Sequence, residues 1–278
     1  MILSIASGKG GTGKTTIATN LALCLKDVQF LDCDVEEPNS NIFIKAEIDN
    51  YENVSLSIPE VDKTKCDYCG KCSDFCAYNA LAVVPSDVLV FPELCHSCGG
   101  CKIVCPKDAI KWQKRVVGKV EHGTSNNIDF FQGLLNIGEI QAIPVIKALK
   151  NKVDYKKNVI IDAPPGTSCP VIESINSSDY CILVTEPTPF GLHDLKLAVA
   201  VVRHLKIPFG VIINRDGIGD EKVEMYCKKE KIPVLLKIPD RKQIAHLYSK
   251  GIPLVKESYE WCEMFGLVFD KINEELNK

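Results

Sequence analysis

Six short runs along the chain are almost continuously apolar: residues 2–6, 28–32, 159–162, 181–185, 210–213 and 234–238. Runs of this length without polar alternation predict strands covered on both faces, the pattern of a parallel sheet. Between them, residues 15–26, 139–149, 192–204 and 221–230 carry apolar side chains at helical spacing. Strand and helix in alternation predict an α/β fold built on a doubly wound, mostly parallel sheet.

The rhythm breaks near Pro59 and resumes after about residue 114. The interruption holds two copies of one unit, CDYCGKCSDFCAYNAL at 66–81 and CHSCGGCKIVCPKDAI at 95–110, offset by 29 residues. A short repeat inside a βα scaffold predicts an inserted domain. The expected division is 1–58 and 114–278 for the host and 59–113 for the insert. The two ends of the insert must lie close together, because the host sheet continues on either side.

Eight of the 14 cysteines fall in these repeats. Clustered cysteines in a reducing compartment point to metal more than to disulfides. Each repeat reads C-x2-C-x2-C-x3-C. Three thiolates on one tight loop can hold three irons of a four-iron cube, and in two-cluster ferredoxins the fourth cysteine ligates the other cluster. The spacing therefore assigns Cys66, Cys69, Cys72 and Cys105 to one [4Fe–4S] cluster, and Cys76, Cys95, Cys98 and Cys101 to a second. Structural zinc also uses C-x2-C pairs, but four ligands give no reason for a third cysteine two residues on, twice over. Most of the scattered cysteines (Cys24, Cys33, Cys181, Cys227, Cys262) are expected as small core residues.

KGGTGKTT at 9–16 follows the first predicted strand and opens a helix, the context a P-loop requires. Backbone N–H groups of Gly10, Gly11, Thr12, Gly13 and Thr16 are expected to cradle phosphate oxygens. Lys14 would reach the β- and γ-phosphates, and the Thr15 hydroxyl would bind Mg²⁺.

The extra lysine, Lys9, gives this loop the form of the deviant Walker A motif, so the chain resembles the MinD, ParA, Mrp and nitrogenase iron protein group. That resemblance implies an ATP-dependent dimer in which Lys9 reaches the partner's nucleotide. LDCD at 31–34 resembles switch I, with Asp34 polarising the attacking water and Asp32 supporting it; Asn39 and Asn41 stand where relatives carry polar switch residues. VIIDAPPG at 159–166 resembles Walker B with switch II, implying that Asp162 holds Mg²⁺ through water and Gly166 lies near the γ-phosphate. INRD at 213–216 and IPDR at 238–241 resemble the segments that flank the adenine, here Asn214, Pro239 and Asp240. With the insert, the whole chain resembles MinD-superfamily ATPases containing a ferredoxin domain, a group similar to the ATPases of the orange-protein system.

Charge and composition narrow the field further. A net charge of -3 and 7% aromatic residues argue against nucleic acid and anionic membrane as partners. No 18-residue apolar run exists, and Met1–Ser7 is too short for a signal sequence, so a cytoplasmic protein is expected. Residues 259–278 carry five acidic and two basic side chains, the wrong sign for the membrane-binding helix of MinD, so their apolar face is expected to pack on the core. The C-terminal C-x-x-C of Mrp-type carriers is missing. Cys169 stands seven residues past Asp162, as a cluster ligand does in the nitrogenase iron protein, but no cysteine occurs between 106 and 168 to supply the second ligand. Cys169 is thus either a packing residue or a redox or interfacial one. These features imply a dimeric ATPase, paired with itself or a paralogue. It would pass electrons through two [4Fe–4S] clusters to a redox partner; the alternative is an assembly factor that delivers clusters or a metal cofactor to client proteins.

Overall fold

The computed structural model describes residues 1–277. Nine strands form the main sheet: β1 (Ile2–Ala6), β2 (Val28–Asp32), β3 (Glu47–Val61), β6 (Ile110–Ser125), β7 (Ile128–Leu135), β8 (Asn158–Asp162), β9 (Tyr180–Thr185), β10 (Phe209–Asp216) and β11 (Val234–Pro239). Their order is β11-β10-β9-β1-β8-β2-β7-β6-β3. From β11 to β7 every neighbour is parallel, while β6 runs antiparallel to both β7 and β3. A separate two-stranded piece, β4 (Leu81–Val84) with β5 (Asp87–Val90), belongs to the cysteine-rich segment.

The six apolar runs all become strands of the parallel part. Every residue of β1 and β2 is buried, because helices cover both faces. Side chains alternate between those faces. Leu3, Ile5, Phe30 and Ile160 pack with Ile17 and Leu21 of the helix Lys14–Cys24. Ala6, Cys181 and Leu183 pack on the opposite side with the helix Pro189–His204. Leu31, Val159 and Ile161 pack there with Val145 and Leu149 of the helix Ile143–Lys150. Cys33, Cys181 and Cys227 are core residues, Cys24 and Cys262 are half-buried, and Cys169 is exposed at the start of the helix Cys169–Ile175. For Cys169 a packing role does not hold.

Three strands escape the apolar-run pattern. β3 and β6 pair with each other from Glu47↔Thr124 to Val61↔Ile110, so the ribbon crosses both expected domain boundaries, at residues 59 and 113. Only Gly118–Ser125 of β6 also pairs with β7. The far half of the ribbon therefore projects beyond the sheet and carries the cysteine-rich segment on Val61 and Ile110, whose pairing brings the two ends of that segment together. The helix expected from residue 139 begins only at Ile143, where Pro144 sits in the first turn. Glu139 is used otherwise: its carboxylate pairs with Arg115 and accepts the Ile140 and Gln141 N–H groups.

The C-terminal helix Tyr259–Leu276 lays Phe265, Val268, Phe269 and Ile272 against the same core as the P-loop helix, so its apolar face is packed. Among the described residues, no helix is long and apolar enough to cross a membrane. Phe265→Ala should cost about 3–5 kcal/mol, because the ring is fully buried between these helices. Guanidinium denaturation of the two proteins measures it; a loss below about 1 kcal/mol would mean that the helix is not part of the core.

Candidate functional site

The parallel register sets Asp32 beside Asp162, at the carboxyl ends of β2 and β8, while the loop after β1 rises next to them. This edge is where open α/β sheets bind ligands. Gly13 has φ near +94° and packs against Asn214, a conformation and a space that exclude a side chain. The turn delivers Lys14 and Thr15 at the helix N-terminus. Lys14 is buried, and Thr15 Oγ1 donates to Asp162 Oδ2 at 2.7 Å.

Asp162 Oδ2 also accepts from Ser40 Oγ at 3.2 Å, while Asp162 Oδ1 is buried with no partner. Asp32 accepts the backbone N–H of Ser40 at 3.0 Å and that of Asp34 at 3.1 Å. The whole 33–40 segment is thereby fastened to two buried carboxylates. Burial, with the Asp32 charge adding to it, pushes Asp162 up to about 8 against the opposing pull of Thr15 and Lys14. Burial also raises Asp32, against the N–H bonds from Ser40 and Asp34. Asp34, less buried, rises to about 6 from burial and then the Asp32 charge, with Lys14 opposing. An oxygen without a partner, next to a threonine hydroxyl and in a pair of crowded anions, fits a hydrated divalent cation.

One cavity of about 480 Å³ opens in front of this corner. Gly10, Gly11, Gly13, Lys14, Thr15 and Thr16 form its floor, Asp34 and Asn39 one side, and Asn214, Pro239 and Asp240 the far wall. Asn214 Nδ2 donates to Thr12 O at 2.8 Å, so this residue ties the far wall to the P-loop. Thr12 itself is buried, its hydroxyl without a partner. Gly166 donates its N–H to Ser7 O at 3.1 Å, anchoring the segment after Asp162 to the loop. Asn41 turns away: its side chain bonds both backbone groups of Ala46.

Lys9 does not line the cavity. Its Nζ sits 3.2 Å from Glu186 Oε2, and Arg215 Nη1 sits 2.7 Å from the other oxygen of the same carboxylate. Glu186 is buried, so both cations are held by one sequestered anion. Ser40, Glu186 and Arg215 were not legible as site residues. No short spacing links them to the P-loop, and only the residue type of Glu186, a charge closing an apolar strand, could have drawn attention.

The eight clustered cysteines form two rings. Cys66, Cys69, Cys72 and Cys105 surround one hollow, and Cys76, Cys95, Cys98 and Cys101 a second. Conformation repeats along with sequence. Tyr68 and Ser97, Gly70 and Gly99, and Asn79 and Asp108 are pairs 29 residues apart, all with positive φ. These turns aim matching N–H groups at sulfur: Tyr68 at Cys66 (3.4 Å), Ser97 at Cys95 (3.5 Å), Ala80 at Cys76 (3.3 Å) and Ala109 at Cys105 (3.3 Å). Donors aimed at four of the eight sulfurs suit thiolates, which accept hydrogen bonds better than thiols do. Among the described residues, no three Cys, His, Asp or Glu side chains converge on one ion-sized point. An all-thiol ring with amide donors fits a [4Fe–4S] cluster in each hollow.

A glycine loop between a central strand and a helix, facing two strand-end carboxylates, defines a P-loop nucleotide-binding domain. The chain belongs to the CobQ/CobB/MinD/ParA nucleotide-binding domain family, whose pattern matches residues 3–254. An uncharacterized protein of Methanocaldococcus jannaschii is 31% identical over 270 residues, covering 92% of each chain. An iron-sulfur cluster carrier protein of Pyrococcus furiosus is 24% identical over 274 residues, covering 91% of this chain and 78% of its own. The septum site-determining protein MinD of Pyrococcus horikoshii, solved with Mg-ADP, superposes with a TM-score of 0.59 at 22% identity, over 98% of this chain and 95% of that one.

The pH dependence of stability follows from the buried pair. A carboxylate raised in the fold binds more protons folded than unfolded between its two pKa values, so it lowers stability as pH climbs through that window. For Asp162 the window runs from the ordinary carboxylate range up to about 8. With nucleotide and Mg²⁺ removed by dialysis against EDTA, Asp162→Asn should exceed wild type in stability by about 1–3 kcal/mol at pH 8 and by less at pH 5. Denaturant titrations at the two pH values measure this, and a difference independent of pH would rule out the raised pKa.

Proposed function

We propose that this protein is an ATP-hydrolysing dimeric switch whose nucleotide state governs electron transfer through two [4Fe–4S] clusters to a partner protein. The observation that carries this reading is the shared sheet. The ribbon bearing both cysteine rings is rooted on β7, and β7 pairs with β2, the strand that ends in Asp32. A change at the nucleotide corner and a change at the ribbon root are therefore separated by one strand.

In this reading the N–H groups of residues 10–16 hold the phosphates, and Lys14 neutralises charge on the β- and γ-groups. Thr15 and Asp162 would hold Mg²⁺. Asp34 orients the attacking water from the cavity wall. Asn214, Pro239 and Asp240 flank the base. Lys9 serves the partner's nucleotide and has to leave Glu186 to do so. Cys66, Cys69, Cys72 and Cys105 would hold one cluster, and Cys76, Cys95, Cys98 and Cys101 the other; such clusters supply one-electron transfer. The Mg-ADP carried by the Pyrococcus horikoshii MinD supports the nucleotide half of the reading.

A second reading, cluster or metal-cofactor assembly, is favoured by the relatives named as iron-sulfur cluster carrier proteins. The two readings differ in whether iron stays bound. Anaerobically purified protein should contain about eight irons and eight sulfides per chain. Stoichiometric zinc without sulfide would sink the cluster assignment. Incubation with an apo-ferredoxin and ATP should leave the iron on this chain; its transfer would favour assembly.

Asp34→Ala should bind ATP with affinity close to wild type and hydrolyse it at least about tenfold more slowly, since the wall carboxylate positions water and not phosphate. Phosphate release and equilibrium dialysis separate the two effects. Hydrolysis at the wild-type rate would remove Asp34 from the mechanism.

A further inference from the structure

The two cysteine rings are alike in sequence and unlike in their attachment to the rest of the protein. Among the described residues, the side chains of the 66–72 loop bond only within the cysteine-rich segment, as in Asp67 with Lys107. The 95–101 loop is tied to the host at two points. Ser97 Oγ donates to Ser57 O of β3 at 2.6 Å, and Gln141 Nε2 donates to Cys95 O at 2.9 Å.

Gln141 closes a continuous chain of contacts that begins at the nucleotide corner. Asp34 is held by Asp32, and the next residue, Val35, accepts the N–H of Leu135 at the end of β7. Asn136 follows, bonding β6 through Val117 O and Val116 O. Glu139, paired with Arg115, then accepts the N–H groups of Ile140 and Gln141, and Gln141 reaches Cys95. Arg115 of β6, which the loop engages through Glu139, has Nε and Nη2 buried without acceptors among the described residues. Buried donors left unpaired are costly, which narrows the gap to an alternative placement of the Arg115–Glu139 contact. Ile137 and Ile140 are exposed on the loop, so no packed core opposes such a shift.

We propose that Gln141 is a positioning residue that transmits the state of the 32–35 segment to the Cys76, Cys95, Cys98 and Cys101 ring, so that only this ring responds to nucleotide. The inference rests on the switch reading above and goes beyond it by naming the responding ring and the contact that drives it. Nucleotide that draws Ser40 and Asp34 away from Asp32 moves Val35, and Val35 moves the loop whose last residue holds Cys95. The coupling is reciprocal in binding free energy, so the state of this ring also biases nucleotide affinity.

Hydrogen–deuterium exchange of the intact, cluster-loaded chain tests this, with and without Mg²⁺ and a non-hydrolysable ATP analogue. In wild type the analogue should protect residues 9–16 and alter exchange at residues 95–99, leaving residues 66–70 unchanged. Gln141→Glu keeps the shape and loses the donor, and Gln141→Ala loses both. Each should abolish the nucleotide effect at 95–99 while keeping the protection at 9–16. An effect at 95–99 that survives in both variants, or equal effects at the two loops, overturns the proposal. Exchange at 95–99 that rises without nucleotide while the nucleotide effect persists would make Gln141 a passive clamp and overturn it too. Absence of protection at 9–16 in wild type would instead defeat the nucleotide reading, and the coupling with it.

Discussion

Two carboxylates forced into one buried corner, Asp32 and Asp162, are the constraint to which the surrounding structure answers. Parallel pairing of β2 with β8 leaves them side by side, and neither can turn to water. Each nearby group serves to make that arrangement tolerable. Thr15 and Ser40 donate to Asp162, the backbone of Asp34 and Ser40 donates to Asp32, and Lys14 is buried within reach of their field. The 33–40 segment is thus shaped by anion solvation at Asp34 and Ser40 as well as by the packing of Cys33 and Val35 in the core. Such a segment is stable only while the charges it solvates stay the same. A cation arriving at Asp162 changes that balance at once, which is why this corner is suited to sensing Mg²⁺ with nucleotide.

How much of this was legible depends on what holds each element in place. Strands buried on both faces are nearly continuous apolar runs, so β1, β2, β8, β9 and the core of β10 stand out in the sequence, and the edge strand β11 does so through Leu235, Leu236 and Ile238. The sequence of β3, EIDNYENVSLSIPEV, shows no such run. It is mostly exposed and owes its shape to the ladder with β6, a partner some 60 residues away. Apolar spacing over 139–149 does not show that the helix begins only at Ile143, because the Glu139 carboxylate is engaged by Arg115 and by the N–H groups of Ile140 and Gln141. The P-loop and the cysteine repeats were legible because their chemistry demands fixed local spacing. Glu186 was not, since an ion pair spanning 177 residues leaves no local trace.

The cysteine-rich segment has two small cores of its own. One joins Leu81, Val88, Ile110, Val61, Val83, Val90 and Tyr68 to Cys66, Cys72, Cys76, Cys101 and Cys105, and the other joins Ile58 and Ala80 to Cys76 and Cys95. Sulfur makes up much of both. In the reading proposed above, such a segment would draw part of its stability from what its thiols bind, as small metal-dependent domains do. The positive-φ turns at Tyr68, Asn79, Ser97 and Asp108, unfavourable for side-chain-bearing residues, fit a backbone shaped around its ligands and not around a hydrocarbon core.

The ribbon that carries this segment has a mechanical consequence. From Val54 to Val61 the only ladder partner of β3 among the described residues is β6, an overhang of about 25 Å at roughly 3.3 Å per residue, braced from the side by Val54 and Leu56 on the helix Ile143–Lys150 and by Ser97 on Ser57. An arm of this length magnifies small rotations: a tilt of about 5° at β7 would carry the tip by about 2 Å. Leverage works in both directions. Weight placed on the tip exerts torque at the ribbon root, and the root stands one strand from Asp32. A load on the far end would reach the sheet by two routes, along the ribbon to β7 and through Gln141 and the 136–141 loop to Leu135, which meets Val35 beside the two carboxylates.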